Sequence, residues 1–150
     1  MKVIFLDIDG VLNSEETVKK GIRSDRGYIG IDPFLTAIFN RIIFATDAKI
    51  VLSSTWRKLD TSRDEVRRRV MDFIDVTPDT FLMGESAWSE RGDEIQAWLD
   101  HHPEVEKYAI IDDDNRAMEQ HGDNYFQTFW NEGLTEGIAA TIIQHLNNEI

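Results

Sequence analysis

Short apolar runs alternate with stretches of helical period along the whole chain. Five runs are brief enough for buried strands: residues 2–6, 49–52, 80–83, 107–111 and 125–129. Between them, apolar side chains recur at three- and four-residue spacing. Asp32 followed by Pro33 predicts a helix N-cap and first turn. Behind it, Phe34, Leu35, Ile38, Phe39, Ile42 and Ile43 share one face. Ser62 and Glu65 have capping-box spacing, with Val66, Val70 and Phe73 continuing that helix. Ile95, Trp98 and Leu99 line another helix that begins near Glu90. A short helix covers 115–120, and Thr135 caps the last, with Ile138, Ile142 and Leu146 inward. Strands alternating with helices predict right-handed crossovers and an α/β fold, a three-layer, doubly wound, mostly parallel five-stranded sheet. One domain over residues 1–150 is expected at this length. Ligands of such sheets bind beyond the carboxyl ends of the strands, so function should concentrate in the residues just past those ends.

Composition mainly excludes. With 41% hydrophobic and 29% charged residues the chain is ordinary globular material. It has no cysteine, which removes disulfides, thiolate metal sites and cysteine nucleophiles and fits a reducing compartment. The apolar run at the start is too short for a signal-peptide core, and no stretch approaches the ~20 apolar residues of a membrane span. A soluble, cytoplasmic protein without a membrane partner is expected. The formal net charge is −12, from 16 basic and 28 acidic residues, which disfavours stable binding of duplex nucleic acid. Arg57, Lys58, Arg63, Arg67, Arg68 and Arg69 do fall within one stretch. That run reads as a solvated helix face.

The strand ends carry the chemistry. Asp7, Ile8, Asp9, Gly10 and Val11 follow the first run, and alternation along an extended backbone puts Asp7 and Asp9 on one side. Two carboxylates this close need a cation or a shared proton, and Gly10 allows a sharp departure of the chain. A calcium loop of the EF-hand type is excluded, because the twelfth position from Asp7 is Val18 rather than Glu. Ser53, Ser54, Thr55, Trp56 and Arg57 follow the second run; hydroxyls there either cap a turn or donate to a phosphate oxygen. Asp112, Asp113 and Asp114 follow the fourth, where adjacent acids are either solvated or bound to a hard cation. Arg91 precedes that strand, at the start of the helix running toward Asp100. His101 and His102, just before Pro103, read as a helix C-cap rather than as metal ligands.

These residues together resemble the haloacid dehalogenase-like superfamily of phosphotransferases. Four of its motifs stand in order: Phe5-Leu6-Asp7-Ile8-Asp9-Gly10-Val11-Leu12, Ile50-Val51-Leu52-Ser53, Arg91 and Ile110-Ile111-Asp112-Asp113. The resemblance implies a Rossmann-like fold, with Asp7 as nucleophile and Asp9 as general acid and base. It implies Mg²⁺ bound by Asp7, the main-chain carbonyl of Asp9 and Asp112 or Asp113, and phosphate oxygens held by Ser53 and Arg91. Ser54 and Arg57 are secondary phosphate-binding candidates. Halide-releasing members lack the second Asp, so Asp9 points to phosphate chemistry through an aspartyl-phosphate. A narrower resemblance, on Ser53-Ser54-Thr55-Trp56-Arg57, Ile111-Asp112-Asp113-Asp114 and Gly133-Leu134-Thr135, is to the small phosphatase domains of RNA-repair and polynucleotide kinase-phosphatase proteins. Thr55 departs from the Ser-Ser-Trp-Arg form of the first piece.

Residues 13–31 are too few for a cap domain, and 55–90 are largely occupied by a helix and the third strand. An open site suits a phosphate on a large substrate, such as a nucleic-acid end or a protein, with small nucleotides left as the alternative. Trp56 and Trp88 either stack a base or, as is more usual for such residues, pack against their own loops, while Trp98 sits at core spacing. Two other readings compete. A phosphoacceptor receiver module would carry its acid pair after the first strand and its acceptor Asp after the third. A catalytically silent scaffold would not need Asp7, Asp9, Ser53, Arg91 and Asp113 together.

Overall fold

The computed structural model describes residues 1–78 and 91–148. The run 80–83, Trp88 and the helix start near Glu90 lie outside them. Five parallel strands form one sheet in the order β3-β2-β1-β4-β5, with β1 Lys2–Leu6, β2 Lys49–Leu52, β3 Asp75–Val76, β4 Lys107–Asp112 and β5 Tyr125–Gln127. The helices are α1 Glu15–Lys19, α2 Pro33–Thr46, α3 Asp60–Arg69, α4 Arg91–Asp100, α5 Met118–His121 and α6 Glu136–Asn147. This is the α/β sheet that the alternation predicts and the Rossmann-like fold that the resemblance implies, with no large cap among the described residues.

Side-chain alternation in the central strand assigns the two layers. Ile4 and Leu6 pack with the buried sides of α2 and α6, among Leu35, Phe39 and Ile142. Val3 and Phe5 face the other way, toward Ile95 and Trp98 of α4. Phe5 meets Trp98 and Tyr108 edge-on, at 5.5 and 5.9 Å between ring centroids. Trp98 is therefore core, as its spacing predicts. His101 and His102 cap α4, their Nδ1 atoms 2.9 and 2.6 Å from the carbonyls of Ala97 and Trp98. Asp32 caps α2 by accepting from the Phe34 amide at 3.0 Å.

Several local expectations are corrected. Phe34 is 66% exposed rather than inward, since the second helical position lies on the rim, where Lys20 covers its ring. The Ser62–Glu65 capping box does not form. The helix begins earlier, at Asp60, and buried Glu65 instead accepts from the Asp25 amide at 2.9 Å. That helix ends at Arg69, so Val70 and Phe73 reach the core from the chain after it. Within the run 125–129 the strand ends at Gln127, and Phe129, bridged to Gly133 outside the sheet, is exposed. Residues 115–120 divide into a 3₁₀ turn, Asn115–Ala117, and the short α5.

Strand register brings the polar residues together. Leu6 lies opposite both Leu52 and Ile111, so the next residues, Asp7, Ser53 and Asp112, emerge side by side at the carboxyl edge. The Asp7 amide donates to the Ile111 carbonyl at 3.1 Å, and the Ser53 amide to the Leu6 carbonyl at 2.8 Å. Among the described residues no helix is long and apolar enough to cross a membrane.

Candidate active site

Three carboxylates converge past these strand ends. Oxygens of Asp7, Asp112 and Asp113 all lie within 4.8 Å of one another. Asp7 and Asp112 are buried, while Asp113 is half-buried. Arg91, the first residue of α4, reaches into the cluster. Its Nη1 donates to Asp112 Oδ2 at 2.9 Å and to the Ser53 carbonyl at 2.8 Å, and lies 3.1 Å from Asp7 Oδ1. All three contacts use one guanidinium nitrogen, and its other nitrogens have no partner among the described residues.

One cation does not balance three acids. Burial, then repulsion from Asp112, pushes the Asp7 carboxyl well above the usual carboxylate range, although Arg91 pulls the other way. Burial and Asp112 also raise Asp113. For Arg91, burial alone would lower the pKa, but Asp7 and Asp112 more than offset it and hold the group above its ordinary value. Hard oxygen donors with unrelieved mutual repulsion are a fit for a divalent cation. The third acid of the triplet faces elsewhere. Asp114 Oδ1 caps the following turn by accepting from the Arg116 amide at 2.9 Å, and Oδ2 accepts from Arg116 Nε at 2.6 Å. The Arg116 hydrogen bond, ahead of the opposing effect of burial, holds Asp114 below the ordinary carboxylate value.

Asp9 stands apart from the cluster. It is exposed, and its Oδ1 accepts from Asn13 Nδ2 at 2.9 Å and Trp56 Nε1 at 3.2 Å. Its second oxygen has no hydrogen-bond partner among the described residues. Asn13 builds this turn: its Oδ1 accepts from the Gly10 amide at 2.9 Å and its Nδ2 also reaches the Gly30 carbonyl at 3.1 Å. Thr128 closes the other side, donating from Oγ1 to the Gly10 carbonyl at 2.7 Å and from its amide to the Asp112 carbonyl at 2.9 Å. Sequence reasoning misses both residues. An amide side chain three positions after a turn glycine is the one signal that marks Asn13.

Gly10 is irreplaceable here. Its φ is +82°, and a Cβ would lie 2.3 Å from Asp113 Oδ2. Gly10→Ala should strain the turn by about 1–3 kcal/mol. By displacing Asp113 it should also weaken the binding of a divalent cation at the acid cluster on the order of 10-fold or more. Thermal melting and a Mg²⁺ titration followed by calorimetry measure the two effects separately.

The hydroxyl candidates divide. Ser53 is 1% exposed, and its Oγ has no hydrogen-bond partner among the described residues. An unpaired buried hydroxyl beside the acid cluster is a donor awaiting an acceptor. Ser54 Oγ instead accepts from the Trp56 amide at 3.2 Å and starts the 3₁₀ turn Thr55–Lys58. Arg57 is buried below that turn. It donates to the carbonyls of Thr77 and Ser54 at 3.2 and 2.7 Å and to Glu94 Oε2 at 2.9 Å. Its guanidinium thus ties the Ser54 turn to α4, while Arg91 is the arginine among the acids.

Compared with protein families, residues 3–139 match the model described as the HAD domain in Swiss Army Knife RNA repair proteins. Comparison with curated proteins and with solved structures returned no significant match.

Proposed function

Because the chain belongs to the family of HAD domains in Swiss Army Knife RNA repair proteins, we propose that it is a Mg²⁺-dependent phosphomonoester hydrolase acting on nucleic-acid ends. HAD domains are generally hydrolases of phosphatase type, and the local chemistry supports that reading in detail. The observation that carries it is the buried Asp7 carboxylate set between two further acids, Arg91 and the unpaired Ser53 hydroxyl.

Asp7, Asp113 or Asp112 and the main-chain carbonyl of Asp9 would hold the Mg²⁺, which neutralises charge so that an anionic carboxylate can approach an anionic phosphate. Asp7 attacks phosphorus in line, and the bond to the leaving oxygen breaks as an aspartyl-phosphate forms. Asp9, held by Asn13 and Trp56, gives the leaving oxygen its proton. It then takes a proton from the water that attacks phosphorus and frees Asp7. Ser53 Oγ and the free nitrogens of Arg91 hold the equatorial oxygens, where charge spreads in a loose transition state. The order of acids along the chain, with Asp7 and Asp9 first and Asp112 and Asp113 after β4, runs against a receiver-type phosphoacceptor.

A screen of phosphate release tests this, using p-nitrophenyl phosphate, mononucleotides, 3′- and 5′-phosphorylated oligonucleotides and phosphopeptides, with Mg²⁺ or with chelator. Release that needs Mg²⁺ and is fastest on oligonucleotides is the expected outcome. Preference for mononucleotides or phosphopeptides would overturn the substrate class, and inertness on every ester would leave the scaffold reading standing.

A further inference from the structure

Residues 22–30 form a small hairpin that rises beside Asp9. Arg23 bridges to Ile29, the Ser24 amide donates to the Tyr28 carbonyl at 2.9 Å, and Gly27 turns the chain at φ +85°. The hairpin is fastened to α3 through Asp25. Its amide donates to buried Glu65, and its carboxylate is taken by Arg68 and Arg69. Between the hairpin and the Thr55–Lys58 turn lies a cleft of about 460 Å³, lined by Asp9, Trp56, Tyr28, Arg23 and Arg26 among others. That volume lies within the range of roughly 300–1,000 Å³ usual for ligand pockets.

Two features of this cleft are informative. Trp56 and Tyr28 border it, and Tyr28 is 69% exposed, so an aromatic ring has somewhere to stack. The second feature is charge. In a chain of net charge −12, every other arginine holds a carboxylate. Arg23 and Arg26 have no ion pair among the described residues, because Asp25, the acid between them in sequence, is drawn away to α3. Both line the cleft into which Asp9 would release the leaving group.

We propose that Arg23 and Arg26 form a second phosphate site, and that the cleft between them and Trp56 takes the nucleotide joining that phosphate to the one Asp7 attacks. This rests on the nucleic-acid-end reading above and gives it a length requirement. A strand with an internucleotide phosphate fills both sites, and a mononucleotide fills one. A phosphopeptide offers no second phosphate at that spacing and no base for the aromatic wall.

The test measures binding and turnover separately. A fluorescein-labelled, phosphorylated single-stranded oligoribonucleotide is titrated by anisotropy in chelator, over a series of salt concentrations. The doubly substituted R23Q/R26Q protein should bind it about tenfold more weakly, with a log–log salt slope shallower by about 1.4 for two lost contacts on a single strand. R23K/R26K should recover most of the binding. Turnover of p-nitrophenyl phosphate, whose leaving group carries no second phosphate for Arg23 and Arg26 to hold, should not change. Unaltered oligonucleotide binding and slope in R23Q/R26Q would overturn the proposal. So would an equal loss on p-nitrophenyl phosphate, or a loss seen with a phosphopeptide and not with the oligonucleotide. If no ester is hydrolysed but the binding loss is found, the second site stands and the hydrolase reading falls.

Discussion

Replacing Asp7 by Asn is expected to reduce phosphate release by about 10⁴-fold or more, while making the metal-free protein harder to melt. Activity goes because an amide is a poor nucleophile and the displacement has no substitute at that position. Stability moves the other way for an electrostatic reason. Burial, then Asp112, raises the Asp7 carboxyl well above its ordinary value of 3.8, so the folded protein binds this proton more tightly than the unfolded chain does. Stability from that proton is fully present below about 3.8 and is lost as pH rises through the folded value. Asn never ionises and escapes the loss. The gain in melting temperature, on the order of a few °C, should therefore appear at neutral pH and vanish in acid. Added Mg²⁺ should narrow it by stabilising wild type preferentially. Melting curves at two pH values, with and without Mg²⁺, check every part. A D7N protein less stable than wild type at neutral pH without metal would show that Arg91 already satisfies the cluster.

Asp9→Asn should produce a different defect, one that depends on the leaving group. Asn accepts the Asn13 and Trp56 donors as Asp does, so the turn should persist, but it carries no transferable proton. Alkyl phosphates, including nucleic-acid ends, need that proton when the ester bond breaks. Their turnover should fall by about 10²–10⁴-fold. p-Nitrophenolate leaves without protonation, so phosphorylation of Asp7 should proceed while its hydrolysis stalls. The expected record is a burst of one p-nitrophenolate per protein, and then slow turnover. Equal slowing on both substrate types without a burst would remove Asp9 from the proton-transfer role.

Much of this arrangement is legible in the residues, and for a physical reason. Parallel strands buried on both faces are short continuous apolar runs, so β1, β2 and β4 stand out, and the acids and hydroxyls that end them mark the site edge. The two-residue β3, Asp75–Val76, carries too few side chains to leave a pattern. Ser62 and Glu65 have the spacing of a cap, but spacing does not reveal that Glu65 is needed by the Asp25 amide across the chain. The same is true of the basic stretch. A solvated face is a fair local reading of Arg67, Arg68 and Arg69, yet Arg68 and Arg69 grip Asp25 and hold the hairpin. Arg57 and Arg91 look alike as arginines near the strand ends. Motif order ranks Arg91 first, and tertiary placement shows why Arg57 differs: it is fastened to Glu94, whereas Arg91 stands among the acids.

The chemical claim beneath all of this is that one carboxylate, Asp7, is transiently bonded to phosphorus. Rapid acid quench of the Asp9→Asn protein during its p-nitrophenyl phosphate burst, with peptide mass spectrometry of the quenched chain, addresses that bond directly. One phosphoryl group per chain is predicted, on the peptide holding Asp7 and lost on treatment with hydroxylamine. A burst with no adduct, or an adduct on any other residue, would contradict it.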